Sequence, residues 1–93
     1  DREQQKKLSQ RLRRAEGQVA AVRRMLDDEV PCLDILVQLS AAQGALSKAA
    51  QVLLASHIEE SVQETLDTED QADRAARVSD LMHVFNRYSR IGG

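Results

Sequence analysis

Cys32 and His57 are the side chains of this 93-residue chain whose types best suit holding a metal ion or meeting a reactive small molecule. A thiolate is the ligand that soft ions such as Cu(I) prefer, and imidazole suits most divalent transition metals. The two residues are 25 positions apart, in a stretch rich in Leu, Ala and Gln with no proline after Pro31. Such a stretch reads as the middle of one long helix. At about 100° per residue the separation is nearly a whole number of turns, so both side chains share one side of that helix. At about 1.5 Å of rise per residue they are also roughly 37 Å apart, too far to cooperate within one chain. Their midpoint falls between Gly44 and Ala45, inside the small-residue run Ala41-Ala42-Gln43-Gly44-Ala45. A second copy crossing antiparallel at that run would set Cys32 of one chain beside His57 of the other, twice per dimer.

A third ligand one turn beyond His57 would stand at position 61, because residues four apart share a helix face. That residue is Ser61, a poor ligand. Two readings therefore stay open: a two-residue sensor pair, or a small apolar filler at Cys32 and a satisfied buried histidine at His57. A cysteine in the first turn of a helix has its thiolate favoured by the helix dipole, which raises its reactivity towards electrophiles. His83 sits next to Met82 on a later helix and is expected to face solvent. There is no glycine-rich phosphate loop and no carboxylate pair in an apolar setting, so the chain is not read as an enzyme.

Charge supplies the second candidate surface. The net charge is −2, but residues 1–24 carry eight basic side chains against three acidic ones. Residues 25–73 carry only Lys48 against eleven acids, and residues 74–93 carry four arginines against Asp80. Phosphates respond to the local patch and not to the average, so an acidic total does not forbid nucleic-acid binding. Arg11 and Arg14 are three apart and share a face with Lys7. Helix surfaces are commonly charged and solvated, which is the plain alternative. Phe85 and Tyr88 are the only aromatics, too few for base-stacking platforms, so double-stranded DNA held through its phosphates is the better form of the idea. No helix-turn-helix spacing is present.

The elements that must position these residues follow from apolar spacing. Leu8, Leu12, Ala15, Val19, Val22 and Leu26 alternate four and three apart, the pattern of an amphipathic helix from Glu3 to about Leu26. Gly17 inside it costs on the order of 1 kcal/mol relative to Ala, which predicts close packing at that point. Asp27-Asp28-Glu29-Val30 breaks the pattern, and Pro31 suits the first turn of the next helix. The second helix carries Ile35, Leu36, Leu39, Ala42, Leu46, Ala49, Val52, Leu53, Ile58 and Val62 and fades near Leu66. It is apolar on more than one face, as expected of an element buried on several sides. Thr68 or Asp70 is placed to cap a third helix, roughly Gln71 to Tyr88, and Gly92-Gly93 end the sequence.

The fold class is thus all-α: a three-helix protomer with the middle helix longest, read as a single domain over residues 1–93. So few bulky core residues suit a thin helical layer that completes its core by oligomerising. One cysteine excludes an internal disulfide framework, and a lone Cys without a signal peptide or membrane-length apolar run fits a reduced cytoplasmic setting. The chain opens on Asp1 and not Met, so native residues are expected before it.

At Arg11-Leu12-Arg13-Arg14-Ala15-Glu16-Gly17-Gln18-Val19, Cys32-Leu33-Asp34-Ile35-Leu36, Gln38-Leu39-Ser40-Ala41, Gly44-Ala45-Leu46 and Ser56-His57-Ile58-Glu59 the chain resembles the CsoR/RcnR/FrmR family of small bacterial repressors. These segments cover about the first two thirds of the sequence in the family's order and spacing. The resemblance implies an antiparallel dimer with a four-helix-bundle core, paired again into a dimer of dimers. It implies operator DNA as partner, released when an inducer reaches a site made by Cys of one protomer and His of the next, with no cofactor required and no membrane. Cys32 and His57 stand at those two positions. Ser61 stands where copper sensors have a second Cys and nickel/cobalt sensors a His. Formaldehyde sensors of the family also lack a ligand there, so the resemblance favours a formaldehyde-type electrophile as inducer, with Cu(I) or another transition metal as the alternative. Persulfide sensors use two cysteines, which speaks against that branch. A helical interaction module that never touches DNA is the further alternative. Arg11 and Lys48 match basic positions implicated in DNA contact, with Arg14 added by proximity. Asp80 matches an acidic residue of the third helix in the copper sensors' allosteric network. Pro31 replaces the tyrosine that those sensors often have before the Cys.

Overall fold

The computed structural model describes residues 2–90, and the expectations for Asp1 and for Gly92-Gly93 lie outside the described residues. Three helices follow in order: α1 (Arg2–Asp27), α2 (Cys32–Asp67) and α3 (Gln71–Tyr88). Each stands within a residue or two of the bounds that apolar spacing sets, and no strand occurs among the described residues. The chain divides into two compact units, Asp1–Ala49 and Ala50–Gly93, and α2 contributes its first half to one and its second half to the other.

In the first unit the buried apolar residues are Ala15 and Val22 on α1 and Ala42 and Ala49 on α2. Each pair is seven apart, two turns along one helix face. The turn between the helices is a Schellman motif. Val30 N–H donates to the Met25 carbonyl at 3.0 Å and Glu29 N–H to the Leu26 carbonyl at 3.4 Å, satisfying carbonyls that α1 would otherwise leave open. Glu29 holds the left-handed position of this motif with φ 55°, where glycine is the usual occupant because a Cβ is penalised there. Pro31 lies just ahead of α2, not inside it. Its carbonyl accepts from Asp34 and Ile35 N–H at 3.0 and 3.3 Å, so it is the capping residue that opens the helix.

In the second unit, polar contacts gather at the α2–α3 turn, and Leu54, Ile58, Leu81 and Val84 are half-buried. Asp70 caps α3, its carboxylate accepting from Asp73 N–H at 3.0 Å. Thr68, the other capping candidate, turns its hydroxyl back to the Glu64 carbonyl at 2.7 Å. Arg74 donates twice to the Thr68 carbonyl, at 3.0 Å from Nε and 2.6 Å from Nη2. Arg77 pairs with Glu64 at 3.3 Å. Both side chains are exposed, so the pair is worth at most about 1 kcal/mol.

Two packing expectations need correction. A Cβ built on Gly17 meets nothing within 4 Å, and the same holds at Gly44. Gly17 is therefore not held by close packing within this chain, since the space beside it is open. Nor is α2 buried on several sides here. Leu33, Leu36, Val37, Leu39, Leu46, Leu53, Val62 and Leu66 are all exposed, and so are Val78, Met82, Phe85 and Tyr88 on α3. The broad apolar surface of α2 is real, but one copy does not cover it.

Candidate functional site

Cys32 is the first residue of α2, a free and exposed thiol. The Pro31 cap fixes where the helix begins and so puts the thiol in the first turn, among N–H groups that no helical carbonyl takes. His57 lies on the same helix, in its second half, and is also exposed. Neither side chain is buried within one copy of the chain.

Ser61 is half-buried one turn after His57, and its Oγ lies 3.5 Å from His57 Nε2. Thr65, one turn further, is the buried polar residue of the described chain, and its hydroxyl donates to the Ser61 carbonyl at 2.7 Å. Positions 57, 61 and 65 thus form one linked row along α2. Sequence reasoning treated Ser61 only as a missing ligand. The four-residue spacing was the signal that it could touch the imidazole.

Among the described residues no three His, Cys, Asp or Glu side chains stand together as a metal-holding group. Cys32, His57 and Ser61 offer one soft donor, one borderline donor and a weak neutral hydroxyl, and a donor set of this kind suits Cu(I) better than a hard ion.

The basic candidates lie in the first unit. Arg14 and Lys48 are exposed and Arg11 is half-buried. Asp80 and His83 are exposed on α3, His83 as expected. No helix of the described residues is long and apolar enough to cross a membrane.

The family model described as metal-sensitive transcriptional repressor matches residues 4–87. The copper-sensing transcriptional repressor CsoR of Bacillus subtilis (strain 168) is 34% identical over 83 residues, covering 89% of this chain and 79% of the relative. The copper-sensing transcriptional repressor RicR of Mycobacterium tuberculosis (strain ATCC 25618 / H37Rv) is 40% identical over 60 residues, covering 64% of this chain and 62% of its own. Among solved structures, the nickel-responsive transcriptional regulator InrS superposes with a TM-score of 0.76 at 28% identity, covering 89% of this chain and 90% of that one. The family model and the two curated relatives are of transcriptional repressors, a non-enzymatic class, and the family match runs through all three helices: the chain belongs to the metal-sensitive transcriptional repressor family.

Proposed function

We propose that this protein is a DNA-binding repressor that lets go of its operator when a metal ion, Cu(I) first among candidates, is bound between Cys32 of one copy and His57 of another. The observation that carries this reading is the pair itself: two exposed donors on one helix, in a chain whose described residues assemble no metal group alone. The inducers named for the relatives are copper for two and nickel for the third. They favour the metal alternative over the formaldehyde reading that the sequence had put first. A bound ion would link the two copies through thiolate and imidazole, the thiol proton going to solvent.

The exposed apolar residues on α2 and α3 support association of copies, with the open space at Gly44 as the antiparallel crossing and a dimer of dimers as the assembly. DNA would be held through phosphates by Arg11, Arg14 and Lys48, and Asp80 on α3 is the candidate relay between inducer and that surface. Linking two copies at Cys32 and His57 favours one arrangement of the assembly. If that arrangement no longer matches the phosphate spacing, a coupling of about 2–3 kcal/mol weakens DNA binding by roughly one to two decades. A reduced cytoplasmic setting keeps the single thiol available.

The test is a gel-shift titration against the DNA upstream of the protein's own gene, with Cu(I), Ni(II) and formaldehyde in separate arms. Cu(I) is expected to release the DNA and Cys32→Ala to abolish the response. Release by formaldehyde alone would restore the electrophile reading, and a complex untouched by any of the three would refute an inducer site at Cys32.

A further inference from the structure

Lys6, Lys7, Arg13, Arg14 and Arg24 share one side of α1, and Gly17 stands at the middle of it. Counted at about 100° per residue, Lys6, Arg13 and Arg24 fall within about 40° of Gly17, and Lys7 and Arg14 within about 80°. These cations are exposed, and so is Gly17. The acids that share this side, Glu3 and Asp27, stand at the two ends of the helix. The apolar positions Leu8, Leu12, Ala15, Val19, Val22 and Leu26 lie about 140–180° away, on the opposite side. We propose that the basic side of α1 is a seat for the DNA backbone, in which Gly17 lets a phosphate come close to the helix while Lys6, Arg13 and Arg24 join Arg14 in holding the strand on either side of it. Resting on the DNA-binding reading above, this seat extends that surface from Arg14 along the helix.

Glycine inside a helix is disfavoured against alanine, and its use is a close approach that a side chain would block. At Gly17 this chain supplies nothing to block, since a Cβ built there meets nothing within 4 Å. A second copy does not need the space either: one that covers the exposed Leu12, Val19 and Leu26 docks on the far side of the helix. The occupant is then set by the neighbours of Gly17. Arg13, Arg14 and Arg24 carry no carboxylate partner among the described residues, so the local field selects an anion. From Lys6 to Arg24 the row covers about 27 Å at about 1.5 Å per residue, which suits a polyanion with charges repeated along its length better than a single small anion. Arginine grips phosphate through two parallel N–H bonds, and its arm can fold on to a strand that lies against bare helix. A larger side chain at position 17 would hold the strand off. Contacts of this kind set position and affinity and read no base sequence.

The experiment measures binding of the protein to the DNA upstream of its own gene by gel shift at several salt concentrations, for wild type, Gly17→Ala, Gly17→Leu, Arg13→Gln and Arg24→Gln. Urea unfolding and sedimentation are run on each. Gly17→Leu is expected to weaken DNA binding roughly tenfold or more, as overfilling a close contact does, and Gly17→Ala to weaken it less. Both should leave the assembly unchanged, and Gly17→Ala should raise the urea midpoint, because alanine favours the helix and meets no neighbour. A glycine required for packing would lower that midpoint when replaced. Arg13→Gln and Arg24→Gln should each reduce the slope of log affinity against log salt by about 0.9. Wild-type DNA affinity in Gly17→Leu would overturn the seat, and so would slopes unaltered in both arginine variants. A broken assembly in Gly17→Leu would overturn it too, by making Gly17 a contact between copies. Wild type that does not bind the DNA at all would instead remove the DNA-binding reading, and the seat with it.

Discussion

A site divided between two copies can be rebuilt from two broken chains, and the yield can be worked out beforehand. Cys32→Ala removes the thiol and His57→Ala removes the imidazole, so each variant alone keeps one donor per site and is expected to lose tight Cu(I) binding. At about 1.5 Å of rise per residue, their separation along α2 amounts to roughly 37 Å, against metal–ligand bonds of about 2 Å. No adjustment of side chains closes that gap. If the two variants are unfolded together and refolded, random pairing makes about half of the dimers mixed. In an isologous pair each mixed dimer has one site with both donors and one with neither. The mixture should therefore recover about one quarter of the wild-type Cu(I) per chain, measured by chelator competition and metal analysis after desalting. Half or more would mean that pairing is not random, and the single variants would then have to be rechecked for residual binding. Zero recovery from freely exchanging subunits would refute the shared site, and so would full binding by either variant alone.

Four further outcomes follow from particular residues. Ser61→Cys adds a second soft donor one turn from His57 and should tighten Cu(I) binding by at least about tenfold; unchanged competition with a chelator would mean that position 61 does not face the ion. Lys48→Ala and Arg11→Ala should each weaken operator binding and lower the slope of log affinity against log salt by about 0.9 for every phosphate left without its cation, read from gel shifts at several salt concentrations. A slope unaltered in both would place the DNA surface elsewhere. Asp70→Ala removes the cap of α3 and should cost about 1 kcal/mol in urea unfolding, with no change in the metal affinity of the folded protein. Glu29→Gly relieves a left-handed residue that costs about 1–2 kcal/mol, offset by about 0.5–1 kcal/mol of glycine's extra freedom when unfolded, so a net gain of about 0.5–1 kcal/mol is expected.

The three helices were legible because their signals are local. The alternation of four and three from Leu8 to Leu26 marks α1, and Asp70 ahead of Gln71 marks the start of α3. The turn into α2 was half-legible: Asp27-Asp28-Glu29 announced a break, but the left-handed position carries Glu29 where a glycine would have declared a Schellman end. Arg74 and Arg77 were invisible as a clamp, because their partners Thr68 and Glu64 lie across a turn and nothing in spacing ties position 77 to 64. Gly17 misled in the other direction. A glycine inside a helix suggests a close neighbour, yet the chain supplies none. At the candidate site the donors could be read from type and phase, whereas the approach of Ser61 to His57 needed side chains in place. Choosing between aldehyde and metal was beyond the residues alone: a single thiol with an imidazole serves both chemistries, and Ser61, read as a missing ligand, tilted the choice towards the aldehyde that the metal-sensing relatives do not support.

The exposed apolar surface and the divided donor pair have one consequence in common. Only Ala15, Val22, Ala42 and Ala49 are buried apolar residues among those described, three of them alanines, while leucines along α2 stand in solvent. A chain of this kind gains more from covering those leucines with another copy than from its own small core. On the proposed reading, the same association that covers them also creates the sensor site. Assembly, stability and inducer affinity are then one linked equilibrium. An ion that binds only across two copies stabilises the associated state by RT ln(1 + [L]/Kd), about 2.7 kcal/mol at a hundredfold excess over Kd. The ion should therefore raise the denaturation midpoint of the wild type in a manner that depends on protein concentration, and should do nothing for a chain lacking Cys32.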